Sequence, residues 1–144
     1  MKIDRAFIDT NIPMYAAGKG HPLKRTCINV LHAVAEGKIR ACTDAEVFQE
    51  ILHRFLFVND AIAGFRIFDN FNALMKGWVL PITIDDAHKA RQLAEKYPWA
   101  VARDLPHLAV MINHDVKDII STDAHFEKFQ EVRRIRPEKY KDFM

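Results

Sequence analysis

The sequence predicts an α/β protein, a three-layer α/β/α sandwich around a central five-stranded parallel sheet, and three observations carry that prediction. Short apolar runs alternate with helix-periodic stretches along the whole chain. Turn or capping residues punctuate these runs, and no repeat or low-complexity linker interrupts them. At 144 residues and 49% hydrophobic content the chain can bury one core, which points to a single domain over residues 1–144. Strands that alternate with helices pair in parallel through right-handed crossovers, so all-helical and all-β architectures do not fit.

The elements follow in order. Residues 5–8 make a first strand, and a helix over about 22–36 ends at Gly37, a natural C-terminal cap. Residues 39–43 make a second strand, after which Asp44 caps a helix with Val47, Phe48, Ile51, Leu52 and Phe55 on its apolar face. A further helix over about 60–76 stops at Gly77. Five of the ten phenylalanines lie between residues 55 and 71, more aromatic surface than one helical pair usually buries, so a homodimer face competes with core packing. Residues 78–83 form a third strand, and Asp85 starts a helix with Ala87, Ala90, Ala94 and Tyr97 on one face. A short helix from Pro106 to about Asn113 places proline in a first turn, where its missing donor has no partner to lose. Residues 118–121 and 132–135 complete the strands.

Composition narrows the functional classes. Lys2, Asp4 and Arg5 break any apolar leader, and no stretch approaches the ~18 apolar residues of a membrane span, so a cytoplasmic protein is expected. Cys27 and Cys42 lie in apolar surroundings without metal-type spacing and read as buried reduced thiols. The net charge is +2. With four acids set aside (Asp9, Glu50, Asp104 and Asp123), the remainder carries +6, which suits a polyanion approaching a local negative pocket. Basic residues gather from Lys19 to Arg25 and at Arg133, Arg134, Arg136, Lys139 and Lys141.

Those four acids each stand at or near a junction between a strand-like and a helix-like run. Phe7-Ile8 leads into Asp9-Thr10-Asn11, and Ile119-Ile120 into Ser121-Thr122-Asp123. In an open α/β sheet ligands bind beyond the carboxyl ends of the strands, where strand order reverses, and both acids would meet there if their strands are neighbours. Converging carboxylates repel one another unless a cation joins them, and hard oxygen donors favour magnesium or manganese. A water activated by such ions can attack a phosphodiester without a covalent nucleophile. Asp104 and Asp123 have a plainer reading as helix caps, and Glu50 as a solvated residue. On a helical wheel Glu50 flanks its helix's apolar stripe, whereas Glu46 and His53 point away, which favours Glu50 for an inward role.

At this point the chain resembles a known family. Phe7-Ile8-Asp9-Thr10-Asn11, Glu50-Ile51-Leu52, Arg103-Asp104-Leu105-Pro106-His107-Leu108-Ala109-Val110 and Ile120-Ser121-Thr122-Asp123 with Phe126 look, in order and over nearly the full length, like the PIN domain and its VapC-like toxins. The resemblance implies a sheet in the order 3-2-1-4-5 and a Mg²⁺- or Mn²⁺-dependent ribonuclease for single-stranded or looped RNA. It implies Asp9, Glu50, Asp104 and Asp123 as an acidic quartet of catalytic and metal-binding residues. Thr10, Asn11, Ser121 and Thr122 would support the acids, a water or the phosphate. A toxin of this kind would pair with a small antitoxin that inserts an arginine or lysine among the carboxylates. The chain departs from the family pattern at Pro13, Leu105-Pro106 and Glu131-Val132, beside the site rather than in it, and Glu127 stands as a fifth, outer carboxylate.

Other readings compete. Acid-x-x-His spacing occurs at Glu50 and His53, Asp85 and His88, and Asp104 and His107, but a di-iron bundle needs glutamates and no strands. A phosphatase with an aspartate nucleophile would want a second aspartate where Asn11 stands. A non-catalytic PIN-like module that binds RNA or protein is the non-enzyme alternative, disfavoured because a carboxylate cluster repels phosphate. His107 reads as a packed, hydrogen-bonded residue and the other histidines as surface groups. Tyr15, Trp78, Tyr97 and Trp99 are candidate stacking groups for unpaired bases, although Trp78 also suits packing at the start of the third strand.

Overall fold

A computed structural model describes residues 5–144. Five parallel strands, β1 (Ala6–Ile8), β2 (Ala41–Asp44), β3 (Val79–Leu80), β4 (Asp118–Ile120) and β5 (Arg133–Ile135), form one sheet in the order β3-β2-β1-β4-β5. This is the expected order. The helices are α1 (Asn11–Ala17), α2 (Lys24–Ala35), α3 (Ala45–Phe57), α4 (Ala61–Leu74), α5 (Ile84–Lys96) and α6 (Asp104–Asn113). From β1 to β3 the chain steps one way across the sheet, then returns to β4 and β5 on the other side. Right-handed crossovers therefore put α1 to α4 on one face and α5 and α6 on the other. Packing agrees: α1 lies on α2 and α4, α3 on α4, and α5 on α6.

β1 and β4 are wholly buried, as apolar strands covered on both faces should be. Phe7, Ile8, Ile119 and Ile120 meet Ile12, Ile51, Leu108, Met111 and Phe126 in the core. Both cysteines are buried and free, and burial pushes their thiols up to about 11 for Cys27 and about 12 for Cys42, which disfavours the thiolate at neutral pH. The aromatic segment divides: Phe48, Phe68 and Phe71 pack together, whereas Phe57 and Phe65 face outward.

Several boundaries differ from the sequence expectation for identifiable reasons. α1 is a separate seven-residue helix before the expected one, too short to leave a readable period. The third strand spans two residues rather than 78–83, because Pro81 has no donor to extend the ladder. Thr83, not Asp85, caps α5. Its hydroxyl accepts from the Asp86 amide, and Asp86 accepts from the Thr83 amide and from Asn113 of α6. That buried Asp86 turns the helix, so its inner face is Asp86, Leu93 and Tyr97, with Ala87 and Ala94 exposed. α6 begins at Asp104 rather than Pro106, and Arg103 at its N-cap makes no side-chain cap bond.

α3 and α4 approach closely at Gly64, where an added Cβ would lie 2.6 Å from the Phe55 Cβ, an atom fixed to its own backbone. Gly64→Ala should therefore lower stability by about 1–2 kcal/mol, overpacking outweighing the gain in helix propensity of about 1 kcal/mol. Urea unfolding checks this; an unchanged or higher midpoint would show that the pair can separate freely.

Candidate active site

The strand register brings the site together. Ile8 pairs with Ile120, and Phe7 with Cys42, so one and two residues further on Asp9 stands between Ser121 of the β4 edge and Asp44 at the end of β2. These lie at the carboxyl end of the sheet, and the strand order reverses between β1 and β4, which makes this the switch point.

Asp9 is buried, and its carboxylate accepts hydrogen bonds from the Thr10 amide (2.8 Å), the Asn11 side chain (3.0 Å) and the Ser121 hydroxyl (2.5 Å). Burial raises its pKa above the ordinary value; the positive His107 and the Ser121 and Thr10 bonds offset only part of that. Asn11 also accepts from the Thr122 amide, and the Ser121 hydroxyl accepts from the Asp123 amide, so the two loops are laced together. Arg134, read from the sequence only as one of a basic cluster, braces this loop by donating to the Ser121 carbonyl and to Glu127. The Thr10 hydroxyl is buried with no hydrogen-bond partner among the described residues.

His107 spans the other side. Its Nδ1 lies 2.8 Å from Asp44 and its Nε2 2.5 Å from Glu50, with the ring fully buried against Phe7. Both partners are carboxylates, so two ionised partners require both ring nitrogens to donate. Burial alone would push the imidazole down, but the Asp44 and Glu50 bonds and the charges of Asp44 and Asp9 outweigh it and hold it well above 6.5. Asp44 also caps α3 by accepting from the Val47 amide at 3.1 Å.

Asp104 and Asp123 complete the arrangement. Ligand atoms of Asp104, Asp123 and His125 all lie within 4.8 Å of one another. Burial first, then the charges of Asp123 and Asp9, raise Asp104 to about 6. The capping alternative holds for Asp123, which accepts from the His125 amide, and fails for Asp104, which sits inside the first turn of α6. Asp9, Glu50, Asp104 and Asp123 all line one cleft of about 730 Å³, although Asp9 and Glu50 stand outside the tight Asp104, Asp123 and His125 group.

Three expectations need correction. Glu46 and His53 were expected to point away, yet both line the cleft, because the α3 face that flanks the apolar stripe opens onto it. Glu46 is thereby the fifth acid of the cleft, and burial and then Glu50 raise its pKa. Glu127 instead pairs with Arg134 and does not line it. Of the proposed stacking groups only Tyr15 borders the cleft, where His21 stacks on it at 3.8 Å. Trp99 packs on Phe129 and Tyr97 bonds to Glu131, the departure from the family pattern, while half-exposed Trp78 lies under Arg5 at the opposite end of β2. Arg54, Arg103, Glu46 and His125 were missed. The spacing could have found two of them, since Glu46 and Arg54 lie four residues either side of Glu50.

Comparison with known proteins agrees with this architecture. The family model described as PIN domain matches residues 6–132. Ribonuclease VapC13 of Mycobacterium tuberculosis is 37% identical over 128 residues, 89% of this chain and 97% of that protein. Among solved structures, VapC20 of M. tuberculosis, a sarcin–ricin loop cleaving toxin, superimposes with a TM-score of 0.68 at 16% identity, covering 89% of this chain and 98% of that one. A toxin–antitoxin complex from Klebsiella pneumoniae gives 0.63 at 18% identity, covering 92% and 97%. The order of the strands, the reach of the family model and the identity to VapC13 together mean that this chain belongs to the PIN-domain family, on the branch of the VapC ribonucleases.

Proposed function

We propose that the chain is one nuclease domain, a metal-dependent endoribonuclease that hydrolyses RNA phosphodiester bonds and acts as the toxin of a toxin–antitoxin pair. The observation that carries this reading is the meeting of Asp9, Glu50, Asp104 and Asp123 on one cleft, with Asp104 raised to about 6. Carboxylates crowded on one cleft are the donor set a hard divalent cation fits, so Mg²⁺ or Mn²⁺ is the cofactor we assign. Asp104 and Asp123 would hold it, together with Asp9 and Glu50 of the same cleft, and His125 stands beside Asp123. When bound, such a cation lowers the pKa of a neighbouring water and stabilises negative charge on the phosphate.

The chain's own residues do the rest. Asp9 is fixed by three donors, so little reorganisation is needed when the cleft fills. The Thr10 hydroxyl is buried beside Asp9 with no hydrogen-bond partner among the described residues, a donor left unspent at the cleft wall. Arg54 and Arg103 line the cleft and give an approaching phosphate the cations that the acids deny it. The named activities of VapC13 and VapC20 support RNA as the substrate.

Purified protein should cut RNA with Mn²⁺ or Mg²⁺, lose activity with chelator, and lose more than the ~10–100-fold typical of an outer partner when Asp9→Asn is made. A folded Asp9→Asn protein that cuts as well as the parent would remove Asp9 from the chemistry.

The raised Asp104 gives a stability signature. Its folded pKa, about 6, exceeds its unfolded value of 3.8, so between those values the folded chain holds more protons and stability falls as pH rises. Asp104→Asn should then make the metal-free protein more stable at pH 7.5 by roughly 1 kcal/mol, after allowing for solvent screening of a partly exposed group. The gap should close near pH 4. Thermal melts at both pH values test it, and a variant no more stable than the parent at pH 7.5 would contradict the crowding.

Partners follow from the same surface. Leu56, Phe57, Ile62 and Phe65 are 53%, 77%, 75% and 52% exposed where α3 meets α4, and a second copy covering them would form a homodimer. An antitoxin arginine or lysine would satisfy the cleft carboxylates. Sedimentation of the chain isolated from its native host should give a dimer carrying a small basic protein; a lone monomer would argue against both partners.

A further inference from the structure

We infer that His107 is a positioning residue for this centre: by bridging Asp44 and Glu50 it sets which Glu50 oxygen faces the cleft and pins the helix that carries Asp104. The inference rests on the metal-dependent reading above and deepens it.

The geometry separates this role from packing. The four residues that follow His107, Leu108 to Met111, are all buried and apolar, and an apolar ring would fill its place at a lower desolvation cost. Instead both ring nitrogens are spent on carboxylates, at 2.8 and 2.5 Å. Asp44 cannot move to suit them, because it ends β2 and its other oxygen holds the Val47 amide. A rigid path thus runs from the sheet edge through Asp44 and the imidazole to Glu50.

Two consequences follow. Glu50 Oε1 is committed to Nε2, so Oε2 is left to face the cleft, and a side chain with three rotatable bonds is held in one orientation before any ligand arrives. Asp104 lies three residues before His107, one turn away on the same side of α6. The first turn of α6 has no side-chain cap, and beside the packing of Leu105 the pinned imidazole gives that turn a polar tie to the sheet edge. One residue therefore orients acids on two helices.

Mn²⁺ binding by titration calorimetry and steady-state RNA cleavage, on the parent, His107→Phe, Glu50→Gln and the double variant, test this. His107→Phe should weaken Mn²⁺ binding and lower kcat by ~10–100-fold with little change in the KM for RNA. Because His107 acts on Mn²⁺ chiefly through Glu50, adding His107→Phe to Glu50→Gln should cost far less than it does alone. A folded His107→Phe protein with parental Mn²⁺ affinity overturns the inference, as does a loss that multiplies in full with Glu50→Gln. If the phenylalanine variant does not fold, His107→Gln keeps one donor for Glu50, and a smaller, equally non-additive loss is expected. A parent protein that neither binds Mn²⁺ nor cuts RNA overturns the nuclease reading, and this inference with it.

Discussion

The constraint on which the rest depends is a row of carboxylates at the carboxyl edge of a buried parallel sheet. The register of β2, β1 and β4 sets Asp44 beside Asp9 and Asp9 beside Ser121, all nearly or fully inaccessible to water. Two buried anions side by side cannot persist without donors. The chain answers with three kinds: backbone amides of Thr10 and Val47, the side chains of Asn11 and Ser121, and the imidazolium of His107. The donors come from four places, the start of α1, α3, α6 and the loop after β4, so satisfying the acids also fixes how these elements enter the site.

This arrangement solves the problem only up to a point. Asp9 remains raised, and Asp104 and Glu46 are raised as well, all three chiefly by burial. Stability is given up at neutral pH to keep acids close together on one cleft, a trade common where a site must be ready before its ligand binds. Away from the cleft the balance differs: burial keeps Cys27 and Cys42 as neutral thiols, and Asp86 has a lowered pKa because bonds from Thr83 and Asn113 outweigh its burial.

Much of this was legible in the sequence, and the boundary of legibility is physical. β1 and β4 could be read because an apolar run that stops at a carboxylate and a hydroxyl is rare inside a core and sensible at its edge. Gly37 and the Asp44 cap could be read because their conformations leave a local mark, confirmed by a φ of 75° and a capping bond. α1 could not, since seven residues hold fewer than two turns. The α5 face was misread by one position because a buried aspartate counts as polar in any periodicity, and only its partner on another helix makes burial tolerable. The His107 bridge was beyond reach for the same reason: a lone histidine signals packing, and its second carboxylate lies 57 residues away.

The face of α3 that borders the cleft explains how an acidic floor can receive a polyanion. Glu46, Gln49, Glu50, His53, Arg54 and Phe57 follow one another at intervals of three, one, three, one and three residues, which keeps them on one side of the helix. Moving outward from the sheet edge, that side changes from carboxylate through imidazole and guanidinium to an exposed aromatic ring. Glu50 and Arg54 are separated by about one turn, roughly 6 Å of rise, so the cation stands at the rim and the anion at the floor. On the proposed nuclease reading, a chain of phosphates would be drawn toward the rim, where the positive charge stands, while the crowded carboxylates of the floor would repel it until a divalent cation offset them. The same helix would therefore carry both the attraction and the barrier, Arg54 at the rim and Glu46 and Glu50 nearer the sheet edge.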